Sequence, residues 1–244
     1  MVAVPAIEQG DAKRPSRERE SLTGERTRLT NRMRSALARL GVRGLKPERR
    51  NAPQLVDALR TPGDTPVPPN TPAEPRRGLA RLATLRERIK DIGQARPRHL
   101  GDMPQSGPNA MVRLLASVIG VGIETACLLV REVFSRDLRD RRAVARHAGP
   151  TGAPDESGSK RRETGLAKAG NARVRRGMVQ PAWRLLPFQQ DSALAKWFRS
   201  RTEGASGARK TKVIAAPARK LLVALWRMVT TGEVPHGVVL RPAA

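Results

Sequence analysis

All six aromatic residues of this 244-residue chain, Phe134, Trp183, Phe188, Trp197, Phe198 and Trp226, lie in its second half. Close-packed interiors need bulky side chains to fill their volume, so the first 133 residues must pack with Leu, Ile, Val, Met and Ala alone. That restriction suits helices that meet along a narrow aliphatic seam, followed by a globular part with a thicker core. No segment shows a clear strand-like alternation, and the fold class expected is mainly α: a helical hairpin or coiled coil, then a compact helical domain.

The seam can be read residue by residue. Leu22, Leu29, Met33, Leu37 and Leu40 recur at helical spacing among dense charges, which predicts an amphipathic helix from about residue 17 to Gly41. Leu82, Leu85, Ile89 and Ile92 step by three, four and three, predicting a second helix over about 76–93. Between them, TPGDTPVPPNTPAEP holds six prolines and predicts a stiff, extended linker over 61–75. The breaker-rich PRHLGDMPQSGP predicts a second linker. The expected organisation is a disordered or remnant segment over 1–16, the hairpin over 17–96, a linker over 97–110, a C-terminal domain over 111–237 and a tail over 238–244. Within that domain, helices are expected at about 169–186, 191–200 and 211–230, and the Gly-, Pro-, Ser- and charge-rich residues 149–167 read as a long loop.

Charge narrows the function classes. Lys and Arg number 47 against 22 Asp and Glu, a formal net charge of +25, which makes a polyanion the natural partner. Residues 136–176 hold twelve Lys/Arg against five acids, and residues 196–227 hold nine against one, more than solubility requires. Phosphate contact, weakened steeply by salt, is the expectation. Few aromatics argue against a base-stacking sheet platform. The absence of tyrosine excludes a phosphotyrosyl intermediate. The single cysteine, Cys127, excludes an intrachain disulfide, and His99, His147 and His236 are too far apart in sequence for a zinc ligand set of the usual spacing. The apolar run at 221–226 is far shorter than the ~20 residues a membrane span needs, and no signal-peptide stretch opens the chain. A soluble, cytoplasmic, nucleoid-associated protein is expected.

Two segments could carry chemistry. VIGVG, residues 118–122, sits between two helical patterns as in a helix-hairpin-helix, whose glycines at Gly120 and Gly122 let backbone amides approach a DNA phosphate. An ordinary turn between packed helices fits the same residues. ESGSKRRETGLAKAGN, residues 156–171, brings Ser157 beside Lys160, Arg161 and Arg162. Cations suit a phosphoryl transition state, but a serine hydroxyl is a weak nucleophile without a base or metal. By residue chemistry alone Ser157 reads as loop polarity.

AGPTGAPDESGSKRRETGLAKAGNARVRRGMVQPAW, with DSALAKWFRSR and ARKLLVALWRMVTTGEVP after it, resembles the C-terminal transposase domain of the insertion-sequence one-ten family, the bridge-RNA-guided DNA recombinases. The likeness runs from about Leu114 to Gly237, and ERTRLTNRMRSALARLGV looks like the opening of that family's coiled-coil region. The resemblance implies a DNA transposase that recombines DNA through a serine nucleophile. It also implies an N-terminal RuvC-like domain whose acidic residues hold Mg²⁺, a structured guide RNA, and self-association through the coiled coil. The family serine falls on Ser157, with Ser159 as fallback. The family's Lys-x-Gly-Asn element falls on Lys168, Gly170 and Asn171, and with Lys160, Arg161, Arg162, Arg173 and Arg175 these residues are expected to contact nucleic acid, as are Gly120 and Gly122.

Departures from the family pattern set further expectations. MVAVPAIEQGDAKR resembles the segment that follows the acidic domain, so no metal ligand and no cofactor is assigned to this chain. A truncated copy that binds nucleic acid but does not cleave alone, or associates with full-length transposase, is the expectation. The alternative is a non-catalytic basic helical DNA- or RNA-binding protein. Ile119 replaces the family's proline, Ala167 replaces its Ser/Thr, and Pro217 falls within the last expected helix, where an interior proline costs ~3 kcal/mol.

Overall fold

The structure is a computed structural model that describes residues 6–102, 105–149, 152–157, 160–166, 169–207, 210 and 213–242, the segments 152–157 and 160–166 through their backbone. It is mainly α. Over those residues the chain divides into two compact units: Arg14–Arg98, and Met1–Lys13 together with His99–Ala244.

In the first unit, α2 (Arg14–Ala38) and α4 (Asn70–Asp102) carry the aliphatic seam, after a short α1 (Ile7–Asp11) that belongs to the other unit. Leu29 and Met33 bury against Leu82 and Leu85, with Leu22 and Leu79 at the margin. A second cluster joins Leu37 to Leu45, Ala52 and Val56, the last two on α3 (Ala52–Asp57). Fully burying one such side chain contributes ~1.5–3 kcal/mol, so two small clusters suffice for a modest unit. Exposed ion pairs dress it: Arg34 to Glu48 at 2.9 Å, Arg76 to Asp57 at 2.6 Å, and Arg81 to Glu25, each worth no more than ~1 kcal/mol.

The proline-rich stretch differs from its reading as linker. α4 begins at Asn70, so Pro72 stands in its first turn, where a missing amide donor costs little, and Pro75 in its second. At its other end α4 continues to Asp102, across part of the stretch expected as linker 97–110.

The second unit is built around one core. α5 (Gly107–Ser117), α6 (Ile123–Leu129), a π-helical turn (Val130–Phe134), α7 (Arg141–Ala148), α8 (Ala172–Gly177), α9 (Val179–Phe188), α10 (Ala193–Thr202) and α11 (Ala215–Thr231) surround Leu115, Val130, Met178, Leu185, Leu222 and Leu225. The aromatics enter here, with Phe198 edge-on to Trp183 at 6.0 Å between centroids. Pro217 is the third residue of α11, in the first turn, so the cost of an interior proline does not arise. The expected helix over 169–186 breaks into α8 and α9. Ser192 caps α10 by accepting the Ala195 amide at 3.2 Å.

The residues expected as a loop form a β-hairpin between α7 and α8. Strand β1 (Gly152–Ser157) pairs antiparallel with β2 (Lys160–Leu166), with a register irregularity between Gly152 and Pro154. Such composition has weak strand propensity, and an isolated two-stranded hairpin is marginal in water. What holds this one is its base.

Candidate functional site

The base of the hairpin is a neck where the chain leaves α7 and returns to α8. Gly149 closes α7 at φ 87° and Gly170 precedes α8 at φ 79°. A Cβ on Gly170 would lie 2.6 Å from the Arg146 carbonyl oxygen and 2.7 Å from the Gly149 backbone, and one on Gly149 would lie 2.6 Å from the Ala169 carbonyl oxygen. Both positions combine left-handed backbone with main chain against main chain, which only glycine accepts without movement.

Side chains then lock the neck. Asn171 donates its backbone N–H to the His147 carbonyl at 2.8 Å. Its Oδ1 accepts the amides of Arg173 at 3.0 Å and Val174 at 3.4 Å, capping α8. Its Nδ2 donates to Glu132 Oε2 at 3.2 Å. Glu132 is 7% exposed and sits in the π-helical turn, whose wider ring is closed by the Ser135 amide on the Val130 carbonyl at 2.9 Å. The Glu132 carbonyl also accepts His147 Nε2–H at 3.2 Å. One residue thereby grips both ends of the hairpin. Arg175 adds a bond from Nη1 to the Ala169 carbonyl at 2.8 Å.

Beyond the neck, register decides which residues meet. Ser157 stands opposite Lys160, Glu156 opposite Arg161 and Asp155 opposite Arg162. Of the cations assigned to phosphate, only Lys160 is the cross-strand partner of the candidate serine, at the far end of the hairpin from its neck, while Arg161 and Arg162 stand opposite acids. Ser159 and Lys168, both singled out in the sequence, lie outside the described residues.

The VIGVG turn is a separate place in the same unit. It joins α5 to α6, with Gly120 at φ 97° and Gly122 preceding α6. Its inner side is tied to the end of the chain. The Ile119 amide donates to the Val239 carbonyl at 3.3 Å, Arg241 donates its amide to the Ser117 carbonyl at 2.6 Å, and Val118 bridges Leu240. Gln189, 1% exposed, donates Nε2 to the carbonyls of Ile119 and Val239 and accepts the Val239 amide, each at 2.8 Å. The expected tail over 238–244 is therefore, across 238–241, part of the packing of this turn. The same bonds account for Ile119 where the family carries proline: a proline has no N–H to give Val239.

The sequence reading missed Glu132, His147 and Gln189. A lone acid inside the apolar run LLVREVF was the available signal for Glu132. Among the described residues no group of three or more His, Cys, Asp or Glu side chains could hold a metal ion. No helix among the described residues is long and apolar enough to cross a membrane.

Residues 112–199, which span α5 to α10, match the family described as Transposase IS116/IS110/IS902 family. A protein of Sinorhizobium fredii named "Putative transposase y4rJ" is 38% identical over 252 aligned residues, covering 99% of this chain. The chain spans 63% of the length of that relative. The family match includes the hairpin, its neck and the VIGVG turn, and together the two likenesses lead to one conclusion: this chain belongs to the IS116/IS110/IS902 transposase family.

Proposed function

We propose that this chain works on DNA as part of a transposase, with Ser157 attacking a DNA phosphodiester and Lys160, its cross-strand partner, holding the phosphate together with the neighbouring Arg161 and Arg162. The observation that carries the reading is the pairing of Ser157 with Lys160, flanked by Arg161 and Arg162, on a hairpin whose base has no slack. In such a step the serine oxygen gives up its proton and bonds to phosphorus, the bond from phosphorus to one sugar oxygen breaks and that oxygen takes up a proton, and Lys and Arg offset the charge that builds on the phosphoryl oxygens. The neck residues Glu132, His147 and Asn171 position the hairpin and do not touch the reacting atoms. Asn171 is a cap and a clasp, with the nucleic-acid role falling to Arg173, Arg175 and the strand cations. A structured guide RNA, self-association through the region of α2 and α4, and metal chemistry supplied by an acidic domain belong to the same proposal.

The test supplies the purified chain with a RuvC-like domain from a relative, Mg²⁺ and labelled DNA carrying the element's ends. A covalent protein–DNA adduct on a denaturing gel is expected, lost in Ser157→Ala and retained in Ser159→Ala. Adduct of undiminished yield from Ser157→Ala would overturn the assignment. Nucleic-acid affinity that survives without any adduct would favour the non-catalytic binding protein instead.

A further inference from the structure

The two basic clusters of the sequence converge in space. Arg141 and Arg142, at the start of α7, line one cleft together with Arg219, Lys220 and Arg227 of α11 and with His236. The cleft has a volume of about 690 Å³, and Glu233 is the one acid lining it. Arg141, Arg142, Arg219, Lys220 and Arg227 are all exposed. None of them belongs to the hairpin or the VIGVG turn.

A second recess of about 490 Å³ shares Lys220, Ala224, Arg227, Pro235 and His236 with the first, so the two adjoin along a common wall. Its remaining wall is chiefly apolar, with Leu194, Trp197 and Val238 among the lining residues. Lys220 stands at the junction, its Nζ 4.7 Å from the centre of the Trp197 ring.

We infer that this double cleft binds an unpaired stretch of polynucleotide, its phosphates on the five cations and a base in the apolar recess. A duplex presents phosphates outward and keeps its bases stacked inside, so it could use the cationic cleft but would leave the recess empty. A single strand carries both groups on one flexible chain and fills both. The inference rests on the nucleic-acid reading above for its class of partner, but not on Ser157.

Fluorescence anisotropy on the whole chain tests it, using labelled 20-nucleotide probes: single-stranded DNA, the same sequence as RNA, the DNA duplex, and a single DNA strand with several abasic sites. At least one base-bearing single strand should bind about fivefold or more tighter than both the duplex and the abasic strand. Ala193→Leu, at a residue that lines the recess and not the cationic cleft, should bring the single strand down to the abasic level and leave duplex affinity unchanged. Arg219→Ala with Arg227→Ala should weaken every probe and flatten the slope of log affinity against log salt by about 1.4 for single strands. Equal affinity for base-bearing and abasic strands in the unmodified protein overturns the base site without needing any variant to fold. An unchanged salt slope in the folded arginine double variant overturns the cleft while leaving the hairpin proposal intact. Failure to bind any probe overturns both.

Discussion

The two glycine-bearing segments of the C-terminal unit contain the same residue type for different physical reasons. At the VIGVG turn, Gly120 is needed for its φ of 97°, while the space beside it is ordinary: a Cβ would lie 3.5 Å from the Leu185 Cα. At the hairpin neck, Gly149 and Gly170 have left-handed backbone as well, but they also touch each other's main chain. The turn requires a conformation, whereas the neck requires a conformation and an absence of volume. A turn of the first kind can absorb a methyl group with local strain. The second kind can do so only by parting the two chains that hold the hairpin.

The contrast can be broken by substitution. Gly170→Ala should destabilise the unit by about 3 kcal/mol, summing a left-handed alanine and a backbone overlap. Urea unfolding measures it, and a loss below ~1 kcal/mol would mean that the neck is loose. Gly149→Ala should add little once Gly170→Ala has opened the gap, because neighbouring sites that share one contact are not additive. Asn171→Ala should cost about 1–2 kcal/mol through loss of the α8 cap. It should also lower any Ser157-dependent adduct more than it lowers nucleic-acid affinity, a split that a purely stabilising cap would not produce. Gly120→Ala should cost about 1 kcal/mol, from φ alone, and should leave the adduct unchanged in the folded protein. The smallest effect is one of pH. The Ala143 amide, donating to Asp140 at 2.7 Å, holds that carboxyl below its ordinary value of 3.8, with the Arg139 charge assisting. Because the folded value is the lower one, the contribution is present above about pH 3.8 and is lost as pH falls through the folded value. Asp140→Asn should remove that acid-side slope in thermal melts, lowering the melting temperature slightly at pH 7 and leaving it unchanged at pH values below the folded pKa, where Asp140 is itself neutral.

The parts legible in sequence were those set by local pattern. Periodicity at Leu29, Met33, Leu82 and Leu85 found the seam that the first unit buries, because a helix repeats every 3.6 residues whatever surrounds it. A cap at Asp191 or Ser192 was readable for the same reason, since a cap bonds within a few residues of its own chain, and the structure selects Ser192. The hairpin was hidden because its residues have poor strand propensity, and its register comes from a neck built by Gly149, Gly170 and Asn171 with Glu132 some forty positions upstream. Pro217 misled in the other direction: proline is a breaker or a starter according to where the helix begins, and packing of Ala218, Leu221 and Leu222 into the core accompanies a start at Ala215.

Sequence alone determined that the chain is mainly helical, strongly cationic, without tyrosine chemistry, and similar to one family of transposases, since composition, periodicity and motif are properties of the chain's order. Tertiary structure decided the rest. It set Lys160 against Ser157, gave Glu132 a grip on both ends of the hairpin, turned residues 238–241 into a support for the Ile119 turn, and carried Arg141 and Arg142 to Arg219 and Arg227. Each of these is a meeting of residues whose contact distance is a few ångströms and whose separation along the chain is not fixed by any local rule. Only burial of a shared core could bring them together.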